Sequence, residues 1–160
     1  MDDFNKGQKK FTPHQAQSKA EYYCAYQERS QQEVRDKLYS WGLYEAEVEN
    51  IIAYLIEENF LNEERFAQAF TLGKFRINGW GKIKIKQHLQ FKRVSTPILR
   101  QALNSIDIDE YEEKLQDIIV KKIGKSPNNL PVNERTKLYR FLLSRGFEPE
   151  LILKQLNQSK

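Results

Sequence analysis

Apolar residues recur along most of the chain at spacings of three and four, the period of an amphipathic helix. Val34 and Leu38, Ile85 and Leu89, and Leu138 and Leu142 are the clearest pairs. Helix start and stop signals punctuate this pattern. Ser30-Gln31-Gln32-Glu33 matches a capping box, in which the serine oxygen accepts from the N3 amide and the glutamate reaches back. Asp109-Glu110-Tyr111-Glu112 is a looser version with an aspartate cap, and Asn62 stands before Glu63 and Glu64 in a similar way. Thr96-Pro97 and Glu148-Pro149 place proline near a first helical position. Gly42, Gly124 and Gly146 stand where helices would stop in a left-handed turn. Together these marks predict nine helices in three groups of three, an all-α fold.

The groups repeat. Val34, Leu38, Leu43, Val48 and Ile52 align without gaps with Ile85, Leu89, Val94, Leu99 and Leu103. Leu138, Leu142, Phe147, Ile152 and Leu156 fill the same columns in the last third, and every position is apolar. One further amphipathic stretch precedes each set: Tyr22 to Tyr26, Phe66 to Phe75, and Tyr111 to Ile123. A three-helix unit of this size buries little alone, so neighbours complete its core. The expected organisation is a loose basic tail (1–17) and three tandem three-helix repeats, at 18–60, 61–107 and 108–160. Lys82-Ile83-Lys84-Ile85-Lys86 alternates like a strand, but its alignment with the capped helix at Ser30 makes it helical. Asn78-Gly79-Trp80-Gly81 and the run from Ser126 to Pro131 are the loop candidates.

Composition narrows the class. The chain of 160 residues is 39% apolar and 30% charged, an ordinary globular mixture. No apolar run approaches the ~20 residues of a membrane span, and the N-terminus has no signal-peptide core. The single cysteine, Cys24, cannot form an internal disulfide, which suits a reducing cytoplasm. Net charge is only +4, yet its distribution is uneven. From Arg65 to Ile106 there are nine Lys or Arg residues and no Asp or Glu, between acidic flanks on both sides. Solubility alone requires no single sign over such a length, although a solvated face is the simplest alternative. A basic stretch of this kind suits a phosphate backbone or an acidic protein surface. On a helix from Lys82, steps of 100° bring Lys82, Lys86 and Arg93 to one stripe beside Ile85 and Leu89. Lys74 and Arg76 lie just upstream and Lys92 just before Arg93.

The inventory for catalysis is thin. His14 and His88 stand apart, with no His-x-x-x-His or Cys-x-x-Cys spacing for a metal. There is no phosphate-cradling glycine loop and no nucleophile elbow. Acidic residues from Asp107 to Glu113 are what a helix N-terminus favours without a cation. Cys24 is most simply a small core residue, and Tyr22, Tyr23 and Tyr26 read as core and rim aromatics of the first repeat. Trp80 either packs over its loop, the favoured reading, or stacks on a base. The expectation is a binding protein with no catalytic residue, metal or cofactor.

The run Phe60-Leu61-Asn62-Glu63-Glu64-Arg65-Phe66-Ala67-Gln68-Ala69-Phe70 resembles the signature of the RecX regulatory proteins of bacteria. The Gly79-Trp80-Gly81 turn, the basic helix to Leu89 and the Ser30 opening continue the resemblance, which covers residues 18 to 158. Lys82-Ile83-Lys84-Ile85 stands where arginines are usual, and Arg93 where glycine is usual. The resemblance implies three helix-turn-helix-like repeats in an elongated, curved array. It also implies a partner, the recombinase RecA polymerised on single-stranded DNA. Such proteins modulate, mainly by inhibition, its recombinase, ATPase and coprotease activities in DNA repair and the SOS response. On this reading Lys74, Arg76, Lys82, Lys86, Lys92 and Arg93 face the filament or single- or double-stranded DNA, and the protein is a cytoplasmic monomer. The alternative is a helix-turn-helix-like transcription regulator with Lys82 to Arg93 in a major groove. Base readout favours Arg, Asn or Gln, however, and no dimerisation heptad is visible.

Overall fold

The computed structural model describes residues 11–157, all of whose regular structure is helical. Nine helices follow in order among them: α1 Pro13–Tyr26, α2 Gln31–Ser40, α3 Glu45–Glu57, α4 Glu63–Arg76 and α5 Lys82–Phe91. α6 Thr96–Asn104, α7 Ile108–Ile123, α8 Val132–Ser144 and α9 Pro149–Asn157 complete them. Every repeat column named above is buried except Leu103, which is half-buried. The helical assignment of Lys82 to Lys86 holds, with Ile85 and Leu89 fully buried.

Three local expectations require correction. The tail ends earlier than residue 17, because α1 begins at Pro13 with Thr12 as a capping-box N-cap; residues 1–10 lie outside the described residues. Pro13 costs nothing there, since a first-turn amide has no helical partner. The cap of α7 is Asp107, not Asp109: its carboxylate accepts from the Glu110 amide at 3.0 Å. α5 stops at Phe91, so Arg93 does not continue the Lys82 and Lys86 stripe. Arg93 instead has φ 61, the left-handed conformation that Gly42 and Gly146 hold at the matching positions, with φ 87 and 97.

The chain forms two compact units. The first runs to Ala67 and takes in Lys92–Val94. Its core sets the small residues Ala16, Ala20 and Cys24 of α1 against Val34, Leu38, Val48, Ile52 and Leu55 of α2 and α3. Ser30, fully buried, accepts from the Glu33 amide at 3.0 Å while Glu33 accepts from the Ser30 amide at 2.9 Å. Arg35 donates two hydrogen bonds to Glu49, at 2.8 and 3.0 Å, which ties α2 to α3.

The second unit comprises Gln68–Phe91 and the residues from Ser95 onward. At its centre the Tyr111 ring lies 5.6 Å from Phe75 and 5.3 Å from Phe147, all three buried. This contact joins α4, α7 and the α8–α9 turn. α5 begins on top of it in an unusual way. Its N-terminal amides have no side-chain cap of the Ser30 kind, because Gly81 occupies that column. The Gly81 amide donates to the Arg145 carbonyl at 2.7 Å and the Ile83 amide to the Gly146 carbonyl at 3.0 Å. Between them the Lys82 amide donates to the Tyr111 hydroxyl at 2.8 Å. That hydroxyl in turn donates to Glu148 at 2.5 Å. A Cβ at Gly81 would lie 2.3 Å from the Gly146 carbonyl carbon, so only glycine admits this approach. Arg145 also donates to the Asn78 carbonyl at 3.0 Å, which anchors the loop leading into α5.

Candidate functional site

The third repeat therefore fixes where the basic helix of the second repeat begins. Tyr111 is central to this placement. Burial pushes its hydroxyl well above the usual tyrosine range, and the hydrogen bond to Glu148 acts in the same direction. It remains a protonated donor at any physiological pH. The Lys82 ammonium lies 5.0 Å from the centre of the same ring.

On the loop before α5, Trp80 is half-buried in a cluster of rings and cations. Its ring centre lies 6.4 Å from Phe70, edge-on, and 4.5 Å from His88. Lys74 approaches the same ring at 4.9 Å and Lys84 at 4.6 Å, so the indole has an ammonium from α4 and another from α5. Each such contact contributes ~0.5–1 kcal/mol at an exposed site. Trp80 thus packs against side chains of α4 and α5 and also gathers positive charge. Sequence reasoning did not include Lys84, because helical phase puts it about 200° from Lys82. The signal that could have found it is Trp80 itself, an aromatic ring just before a run of lysines.

The six cations expected to form a site fall into three groups. Lys74 and Lys82 lie over rings, as described. Arg76 donates two hydrogen bonds to Glu110, at 2.9 and 3.2 Å, and Lys92 lies 3.6 Å from Glu33. Lys86 and Arg93 are exposed. Folding thus brings acids from the flanks to part of the acid-free stretch; Arg65 likewise meets Glu28 at 2.8 Å. Within the second unit, Lys74, Lys82, Lys84 and Lys86 form no ion pair among the described residues. Lys74 and Lys84 carry this charge to Trp80, and Lys82 and Lys86 carry it along the first turns of α5. The described residues contain no group of His, Cys, Asp and Glu able to hold a metal, and no helix long and apolar enough to cross a membrane.

A charged helix carried by tandem three-helix domains defines the class of this molecule, an all-α helical-repeat protein. The chain belongs to the RecX family: residues 16–55 match the first three-helix domain of that family, 62–103 the second and 109–156 the third. It is 34% identical over 122 residues to the regulatory protein RecX of Clostridium perfringens, covering 75% of this chain and 57% of that one. With regulatory protein RecX of Streptococcus uberis it shares 30% over 132 residues, 82% of this chain and 50% of that one. The chain thus spans little more than half the length of these relatives. RecX from Lactobacillus salivarius has the same fold, with a TM-score of 0.74 at 24% identity over 91% of this chain and 96% of that one. These relatives are named as regulatory proteins rather than enzymes.

Proposed function

We propose that this protein binds RecA filaments on single-stranded DNA and restrains their recombinase, ATPase and coprotease activities, with the basic second repeat as the contacting face. The observation that supports this most is the set of lysines without an ion pair in a family-matched domain, Lys74 and Lys84 over Trp80 and Lys82 and Lys86 on the first turns of α5. Arg76 and Lys92 act as reserves, exchanging Glu110 and Glu33 for phosphates or carboxylates of the filament. Exposed ion pairs contribute only ~0–1 kcal/mol, so this exchange is inexpensive. Arg93 contributes an exposed cation at the turn after α5. The acids on either side discourage indiscriminate binding to nucleic acid.

Binding to single-stranded DNA as a function of salt separates the modes of contact. If about five phosphates are neutralised, log affinity falls with log salt at a slope near −3.5. Lys82→Glu/Lys86→Glu lowers that slope by about 1.4 if both lysines touch phosphates. A native slope near zero would remove direct phosphate contact and leave protein–protein contact alone. Preference for one duplex sequence over competitor would favour a transcription regulator instead.

A further inference from the structure

The first unit carries a second surface that this function does not use. Tyr22 and Tyr26, one turn apart on α1, are 77% and 74% exposed, where sequence reasoning expected core and rim aromatics. Beside them lies a groove of about 440 Å³, lined by the rings of Tyr22, Tyr23, Tyr26 and Trp41 and by Lys19 and Arg29. Among the described residues its wall contains no aliphatic side chain and no carboxylate. The Arg29 guanidinium lies 3.7 Å from the Tyr23 ring centre, and Lys19 lies 5.8 Å from that of Trp41. Nearby carboxylates are engaged: Glu21 accepts from the Tyr54 hydroxyl at 2.6 Å, Glu28 pairs with Arg65, and Glu33 and Asp36, whose charges reach Tyr23, accept from the Ser30 amide and from Gln32.

Three features of this wall select the ligand. Grooves for amphipathic helices present aliphatic pockets, which the described lining of this groove lacks. A cationic ligand is repelled, because ammonium and guanidinium groups already lie over Tyr23 and Trp41. Rings together with cations suit an anionic chain bearing flat apolar groups, the recognition chemistry of single-stranded nucleic acid. Tyr22 and Tyr26 are about 6 Å apart along the helix axis. That is close to two of the ~3.4 Å steps of stacked bases.

We propose that this groove is a stacking surface for single-stranded nucleic acid, with Tyr22 and Tyr26 taking base faces and Lys19 and Arg29 the adjacent phosphates. It stands on the first unit alone and does not rest on the role of the second repeat.

The test uses the full chain and fluorescence anisotropy with two labelled probes, an oligothymidylate and an abasic phosphodiester of equal length. Wild type binds the base-bearing probe more tightly. Tyr22→Ala/Tyr26→Ala weakens that binding about tenfold or more, with little effect on the abasic probe. Tyr22→Phe/Tyr26→Phe keeps the rings and restores affinity. Both tyrosines are exposed, so the thermal midpoint of each variant stays at that of wild type. Equal affinity of wild type and the alanine variant for oligothymidylate overturns the proposal, as does an acidic or proline-rich peptide filling the groove without displacing the oligonucleotide. Lys82→Glu/Lys86→Glu read in parallel keeps the two surfaces apart: loss there with the tyrosine variant unaffected supports the second repeat and sinks this groove.

Discussion

Arg93 keeps a backbone conformation that side chains other than glycine rarely adopt, with φ 61. The left-handed conformation costs an L residue roughly 1–2 kcal/mol, partly offset by the greater chain entropy that glycine loses on folding. Arg93→Gly therefore raises stability by about 1 kcal/mol in urea unfolding while weakening partner binding. A strained cation retained where the other two repeats have glycine fits a binding role, and stabilisation without loss of binding would contradict that. Cys24 gives a second test at this scale. Burial pushes its thiol up to about 11, against ~8.5 for a free cysteine. The native state holds this proton more tightly than the unfolded chain. Its contribution is therefore full below about pH 8.5 and is lost as pH rises towards 11. Unfolding free energies of wild type should fall more steeply than those of Cys24→Ala over that range, and native Cys24 should resist alkylation at neutral pH.

At the scale of elements, two glycine substitutions have opposite signs. Gly73 lies inside α4 with nothing within 4 Å of an added Cβ, so Gly73→Ala stabilises by about 0.5–1 kcal/mol. Gly81→Ala drives a Cβ into the Gly146 backbone and breaks the amide contacts that start α5. It should cost about 3 kcal/mol or more and reduce partner binding through displacement of Lys82 and Lys84. Thermal midpoints of the two variants check the signs, and a tolerated Gly81→Ala would refute the joint between the second and third repeats. The helices and their repeat columns were legible in the sequence, because burial on one helical face leaves a period that needs no tertiary knowledge. The joint was not. Gly81 reads as a loop residue until Gly146 is seen against it, and Tyr111 reads as one more apolar position of α7. The cations proposed to bind the partner were legible only as a group. Their individual environments depend on Glu110, Trp80 and Tyr111, which are remote in sequence or out of helical phase.

At the scale of the whole molecule, the repeats divide the labour. The repeats supply a scaffold with buried, periodic cores, and the third repeat holds the loop and first turn of α5 in place. The second repeat presents lysines that folding leaves unneutralised around a tryptophan. Association driven by such charge is salt-sensitive; reversal of exposed Lys86 leaves stability unchanged, and reversal of half-buried Lys82 gives up only its contact with the Tyr111 ring, ~0.5–1 kcal/mol. The most direct measurement is DNA-dependent ATP hydrolysis by RecA filaments, titrated with this protein and with Lys82→Glu/Lys86→Glu. The native chain is expected to lower turnover at substoichiometric amounts, and the variant, if folded, to do so weakly or not at all. Unchanged hydrolysis with the native chain, on filaments that form normally, would contradict this expectation.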